Sequence, residues 1–175
     1  MPIFCLGPKG SGKTHLLRRL ETSDSVDNTT YSVPTVGTNI YSIQIPNKDT
    51  NASKRNAVKI VQILEIGGTM APLWRQYFTD VNKIIYVVDT SNLCQISAAG
   101  VLLYSILVEP RLQRTKFLLV LTKMDLAYRQ MRNEALLMLQ IAKLQKEIKQ
   151  HFTVIEASVI SGMGIDKILD WLSLP

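Results

Sequence analysis

Eight residues near the start of the chain, Gly7-Pro8-Lys9-Gly10-Ser11-Gly12-Lys13-Thr14, constrain it more than any other stretch. The spacing Gly-x-x-x-x-Gly-Lys-Thr lets consecutive backbone N–H groups curl around phosphate oxygens, because glycine adopts conformations that a side chain forbids. Gly7, Lys9, Gly10, Ser11 and Gly12 supply the cradle, Lys13 a point charge, and Thr14 a hydroxyl suited to Mg²⁺. The flanks agree. Ile3-Phe4-Cys5-Leu6 reads as a short buried strand, and His15-Leu16-Leu17-Arg18-Arg19-Leu20 as a helix whose positive dipole end faces the same anion. Strand, loop and helix is the arrangement this spacing requires.

Apolar runs at 3–6, 40–45, 58–66, 83–89, 117–122 and 153–158 alternate with helical stretches. Four of these runs are nearly continuous in hydrophobicity, as strands buried on both faces are. The pattern predicts an α/β fold: a six-stranded, mostly parallel sheet in a three-layer sandwich, with ligands at the carboxyl ends of the strands. The phosphate loop, Asp89 and Thr122-Lys123-Met124-Asp125 all fall at such ends. Residues 21–34 and 46–57 are polar connections. Residues 129–150 read as one helix whose stripe Leu137, Ile141, Leu144 and Ile148 faces the core, with Met131 and Met138 filling gaps. The last helix, 166–174, docks through Ile168, Leu169, Trp171 and Leu172. His15 and His151 lack a partner pattern and read as structural.

A chain of 175 residues suits one domain, taken here as 1–175. Cys5 and Cys94 form no disulfide framework or metal-ligand spacing and read as small buried residues in a reducing compartment. The apolar runs fall well short of a membrane span. The net charge of +6 is scattered rather than gathered into a basic run with aromatics, which argues against a nucleic-acid surface. Pro2 follows the first methionine and no cysteine stands near the C-terminus, so no direct lipid anchor is expected. The expectation is a cytoplasmic monomer that meets membranes through partners.

Three further stretches carry chemistry. Pro34-Thr35-Val36-Gly37 precedes a strand, where the Thr35 hydroxyl could reach Mg²⁺ and its N–H a γ-phosphate. Leu64-Glu65-Ile66-Gly67-Gly68 ends a strand in a carboxylate and paired glycines, so that Glu65 reaches Mg²⁺ through water while Gly68 approaches the γ-phosphate. Thr122-Lys123-Met124-Asp125 ends another strand, and a carboxylate there can accept both N–H groups of guanine's Watson–Crick edge, which adenine cannot supply.

Together these motifs resemble a small GTPase of the ADP-ribosylation-factor-like branch of the Ras superfamily, a P-loop NTPase, over nearly the whole chain. The most specific stretch is Gly67-Gly68-Thr69-Met70-Ala71-Pro72-Leu73-Trp74-Arg75-Gln76-Tyr77-Phe78. Pro34-Thr35-Val36-Gly37-Thr38-Asn39 and the ending from Gly164 to Ser173 agree. The resemblance implies GTP or GDP with Mg²⁺. It also implies γ-phosphate sensing by Thr35 in switch I and Gly68 in switch II, guanine held by Lys123 and Asp125, and Ser158, with Val159 beside it, supporting Asp125. It implies protein effectors at both switches, an exchange factor and an activating protein. No N-terminal amphipathic helix of the kind typical relatives carry is expected here.

Several residues depart from that pattern. Thr69 stands where the family places the glutamine that orients the attacking water, and threonine is too short for the task. Lys9 replaces a glycine of Ras relatives and crowds the water or an incoming arginine. Glu65 replaces aspartate, Thr122 replaces the asparagine that braces the base loop, and Val159-Ile160 replaces Ala-Lys. In the exposed aromatic triad that relatives offer effectors, Thr38 and Leu64 take two places and Tyr77 alone is aromatic. The expectation is a nucleotide-dependent switch with slow or activator-dependent hydrolysis. A constitutively GTP-bound interaction module and an ATP-using P-loop enzyme stand as alternatives.

Overall fold

A computed structural model of the chain describes residues 2–23, 26, 31, 33–46, 58–127 and 129–175. Six strands, β1 (Ile3–Leu6), β2 (Thr38–Pro46), β3 (Val58–Ile66), β4 (Lys83–Asp89), β5 (Lys116–Thr122) and β6 (Phe152–Glu156), form one sheet in the order β2-β3-β1-β4-β5-β6. Only the β2–β3 pair is antiparallel; the other pairs are parallel. The helices are α1 (Lys13–Glu21), α2 (Leu93–Leu107), α3 (Arg129–Met138), α4 (Ile141–Glu147) and α5 (Ile165–Ser173).

Alternation along the strands builds two cores. Cys5, Ile63, Val87 and Val120 point to one face, where Leu16 and Leu17 of α1 and Ile168, Trp171 and Leu172 of α5 cover them. Leu6, Ile84, Tyr86 and Leu119 point to the other, under Trp74, Ile96 and Leu103 of α2, and Leu139 and Leu144. The expected three-layer α/β sandwich is therefore what the chain forms. Because β1 pairs with β3 on one side and β4 on the other, the turn after β1 opens where the strand order reverses, the place such sheets use for ligands.

Some boundaries differ from expectation. Strand β2 starts at Thr38 because the ladder with β3 continues to Thr38↔Ile66, past the apolar run. Strand β6 stops at Glu156: Ser158 N–H turns away to the Met163 carbonyl at 3.0 Å, so Ala157 and Ser158 belong to a loop. The single helix expected over 129–150 is two, broken at Gln140 with φ of 50°. The break buries Ala135, Leu139, Ile141 and Leu144 together and leaves Leu137 76% exposed, so Leu137 is not a core residue. Met138 is likewise exposed rather than a gap-filler, and Cys94 is exposed rather than buried. Of the two polar connections, residues 47–57 and most of 24–32 lie outside the described residues.

Lys83 fastens the end of α5 to the base of the sheet. Its buried ammonium donates to the carbonyls of Leu172 at 3.0 Å, Trp171 at 3.4 Å and Leu174, and it stands 5.2 Å from the Trp171 ring centre. A cation at a helix C-terminus satisfies carbonyls that the helix itself leaves open. Lys83→Met should destabilise the fold by about 2 kcal/mol and lower the midpoint of thermal unfolding by roughly 4–8 °C. An unchanged midpoint would show that these contacts are incidental.

Candidate functional site

The loop after β1 closes over a small pocket of about 110 Å³ lined by Lys9, Gly10, Gly12, Lys13, Thr14, Val33, Pro34, Thr35, Glu65 and Gly68. Lys13 opens α1, and its ammonium turns back to donate to the carbonyls of Gly7 and Pro8, both at 2.9 Å. Burial holds its pKa below the ordinary lysine value, partly offset by the negative charge of Glu65. Beneath it, burial pushes the Cys5 thiol far above its usual range, so that group is inert packing.

Glu65, near the end of β3, joins the phosphate loop to the segment before β2. Its Oε1 accepts the Thr14 hydroxyl at 2.6 Å and the Thr35 hydroxyl at 3.2 Å, and the two hydroxyls lie 3.1 Å apart. Glu65 is fully buried, yet its Oε2 has no hydrogen-bond partner. Burial, together with the charge of Glu65, raises the Tyr41 phenol above the usual tyrosine pKa. Among the described residues three buried side-chain polar atoms lack partners: Ser11 Oγ, His15 Nε2 and Glu65 Oε2. All three lie on or beside the phosphate loop. Two hydroxyls and a buried carboxylate with a bare oxygen are the hard donors Mg²⁺ takes alongside water and phosphate oxygens, so the residues fit the ion.

Two glycines let the following segment approach. A Cβ on Gly67 would meet the Thr35 carbonyl oxygen at 2.4 Å, and one on Gly68 the Lys9 nitrogen at 2.3 Å. Gly67 N–H donates to the Gly37 carbonyl at 2.9 Å, so the backbones around Thr35 and Gly68 meet over the loop. From there a 3-10 helix runs from Gly68 to Tyr77, long for its kind. Trp74 anchors it: the indole N–H reaches the Gly67 carbonyl at 3.2 Å and the ring packs edge-on to Tyr86. Trp74 and Phe78 are core, whereas Leu73 is 43% exposed. Thr69 and Lys9 are both exposed beside the pocket.

On the far side of the loop, Thr122 ends β5. Its hydroxyl lies 2.7 Å from the Ser11 carbonyl and 3.0 Å from the Val88 carbonyl. Thr122 thus ties the base loop to the phosphate loop through its hydroxyl, without the amide that asparagine would bring. Lys123 has φ of 58° and its ammonium lies 3.3 Å from the Gly10 carbonyl. The exposed Asp125 receives the Ser158 hydroxyl at 2.6 Å, and Val159 is buried next to it. The expected residues from Gly7 to Thr14, Thr35, Glu65, Gly68, Thr122 to Asp125 and Ser158 therefore do gather at one edge of the sheet. Sequence reasoning missed Thr90, whose hydroxyl donates to the Thr122 carbonyl at 2.6 Å; a lone threonine after a strand carries no signal for that role. A larger cavity of about 790 Å³ lies elsewhere, between β3 and the end of α5, and is lined mainly by apolar groups with Lys59 and Lys83.

Comparison with known proteins gives a concordant result. The model of the ADP-ribosylation factor family matches residues 1–174. The chain is 31% identical to ADP-ribosylation factor-like protein 16 of Homo sapiens, over 95% of this chain and 82% of that protein. It is 29% identical to ADP-ribosylation factor-like protein 1 of Caenorhabditis elegans, over 99% of this chain and 87% of that one. Among solved structures, the Arl6 BBS3 small GTPase from Trypanosoma brucei with bound nucleotide analogue GppNp superposes with a TM-score of 0.74 at 20% identity. That alignment covers 98% of this chain and 94% of the other and supports the fold alone. With the family model spanning residues 1–174 and a relative above 30% identity along most of its length, the chain belongs to the ADP-ribosylation factor family of small GTPases.

Proposed function

We propose that the chain is a guanine-nucleotide-binding switch whose segments around Thr35 and Gly68 recruit protein effectors when the γ-phosphate is present. The observation that carries this reading is the Thr14–Thr35–Glu65 cluster. It couples the phosphate loop, the segment before β2 and the end of β3 through hydrogen bonds of 2.6–3.2 Å around a buried, incompletely satisfied carboxylate.

In this reading the backbone from Gly7 to Thr14 holds the phosphates and Lys13 exchanges two carbonyls for phosphate oxygens. That exchange returns a buried ammonium to an anionic partner. Thr14, Thr35 and Glu65 would hold Mg²⁺, Glu65 through water; the ion, when bound, supplies charge neutralisation at the terminal phosphates. Gly68 N–H and the Thr35 backbone close on the γ-phosphate, which binds one arrangement of the two segments better than the other and so biases their equilibrium. Asp125, oriented by Ser158, accepts the two N–H groups of guanine, while Lys123 and the Val159 loop form the walls of the base pocket. The whole of residues 1–175 acts as one G domain.

Effector recruitment is supported by what lies beside the switch segments. Ile40 and Ile60 are 67% and 63% exposed on the outward face of β2 and β3, with half-buried Leu64 paired to Ile40. Apolar groups of this size cost free energy in water unless a partner covers them. An exchange factor and an activating protein belong to this reading, as does attachment to membranes through partners rather than through a lipid of its own.

Hydrolysis is the weak step. Thr69 lies exposed at the start of the 3-10 helix, and its side chain is too short to position water against a γ-phosphate, while Lys9 stands beside it. The same observation favours a second reading, a hydrolysis-deficient module that stays GTP-bound.

Asp125→Asn should weaken GDP binding by at least about tenfold and improve xanthosine diphosphate binding, measured by fluorescent-nucleotide competition; unchanged guanine affinity would remove Asp125 from its role. Thr69→Gln should raise single-turnover GTP hydrolysis by at least about tenfold. No increase would locate the limit at Lys9 or at a missing activating protein.

A further inference from the structure

Asp89 ends β4 at the same sheet edge, is 6% exposed, and has no part in the chemistry assigned so far. Both of its oxygens are engaged. Oδ1 accepts the Ser91 N–H at 2.8 Å and the Ser91 hydroxyl at 2.6 Å, and Oδ2 lies 2.6 Å from the Lys123 ammonium. Lys123 in turn reaches the Gly10 carbonyl at 3.3 Å. Ser91, Asp89, Lys123 and Gly10 thus form a continuous polar chain from the end of β4, across the base loop, to the phosphate loop.

The base loop needs that support. Thr122 has a single hydroxyl proton, which cannot serve the Ser11 and Val88 carbonyls at once, whereas an asparagine amide would offer two donors. Lys123 sits in the left-handed region that non-glycine residues visit at a cost. The turn after β4 makes up the difference. The Thr90 N–H and hydroxyl both donate to the Thr122 carbonyl, at 3.2 and 2.6 Å, and the hydroxyl also lies 3.4 Å from Met124 Sδ. Asp89 adds an ion pair to Lys123, and its own carboxylate is already fixed by Ser91.

We infer that Asp89 is a positioning residue for nucleotide binding: through its ion pair it holds Lys123 against the phosphate loop, and so sets the wall of the base pocket that Lys123 forms. The inference rests on the guanine-nucleotide reading above. Asparagine at this position keeps an oxygen for Ser91 and loses the charge that holds the ammonium. Lys123→Met keeps the aliphatic stem and removes the ammonium. If Asp89 acts through Lys123, its replacement has nothing left to disturb in the Lys123→Met chain.

The test is the dissociation rate of a fluorescent GDP from the full chain in a double-mutant cycle. Asp89→Asn should speed release by about tenfold. The Asp89→Asn, Lys123→Met double variant should match Lys123→Met alone to within about twofold. A normal release rate in Asp89→Asn, or effects that multiply in the double variant, would overturn the inference, because a merely structural role for Asp89 acts independently of the ammonium. Should Asp89→Asn not fold, Ser91→Ala loosens the same carboxylate and enters the same cycle. Its release is expected to quicken by about threefold in the otherwise unaltered chain and to stay unchanged when added to Lys123→Met; an equal effect in both backgrounds would overturn the inference. Failure of the unaltered chain to bind GDP at all would instead overturn the guanine reading, and the inference with it.

Discussion

Glu65 is a carboxylate without solvent exposure, placed at the end of β3 with hydroxyls on one oxygen and nothing on the other. Such a group costs several kcal/mol unless a cation or further hydrogen bonds compensate it. Lys13 is close enough to feel its charge but spends its donors on the loop's own carbonyls. The site is therefore built around mutual need. An anion would satisfy Lys13, a cation would satisfy Glu65, and a magnesium-bound phosphate chain is the ligand chemistry that offers both at once. Thr14 and Thr35 make that local balance a property of the whole edge of the sheet, because they tie two separate segments to the same oxygen.

The fold places these groups together through strand ends rather than through neighbouring positions in the chain. Gly7 follows β1, Glu65 lies near the end of β3, Asp89 ends β4, Thr122 ends β5 and Ser158 follows β6. The central strands are fixed in register by side chains buried on both faces, which brings the polar groups at their ends within hydrogen-bond reach of one another. The glycine pair at 67 and 68 lets one short segment approach both the Thr35 carbonyl and the phosphate-loop backbone at Lys9, and Trp74 anchors that segment in the core. A short segment between a core anchor and a contact with the phosphate loop is the geometry that the proposed switch would use. The same geometry leaves Thr69 exposed at the start of the 3-10 helix, beside the phosphate loop.

Much of this is legible in the residues and some is not, for physical reasons. The phosphate loop is readable because its spacing is dictated by backbone geometry. The parallel strands are readable because two-sided burial writes continuous apolar runs. The break at Gln140 is not, since a polar residue in the left-handed region gives no periodic signal, and the stripe through Leu137 continues across it. Residue type shows that Thr122 lacks the amide of asparagine but not that its hydroxyl reaches the Ser11 carbonyl, 2.7 Å away. The bracing by Asp89 and Thr90 depends on which strand ends adjoin, β4 beside β5, and no local pattern reports that. Roles that depend on backbone chemistry can be read early, and roles that depend on tertiary proximity need the fold.

Guanine-nucleotide binding at this edge of the sheet is open to direct measurement. The direct measurement is to denature the purified chain, separate the released small molecules by ion-exchange chromatography and identify any nucleotide by mass. GDP or GTP is expected in close to equimolar amount with the protein. An adenine nucleotide, or none, would contradict it.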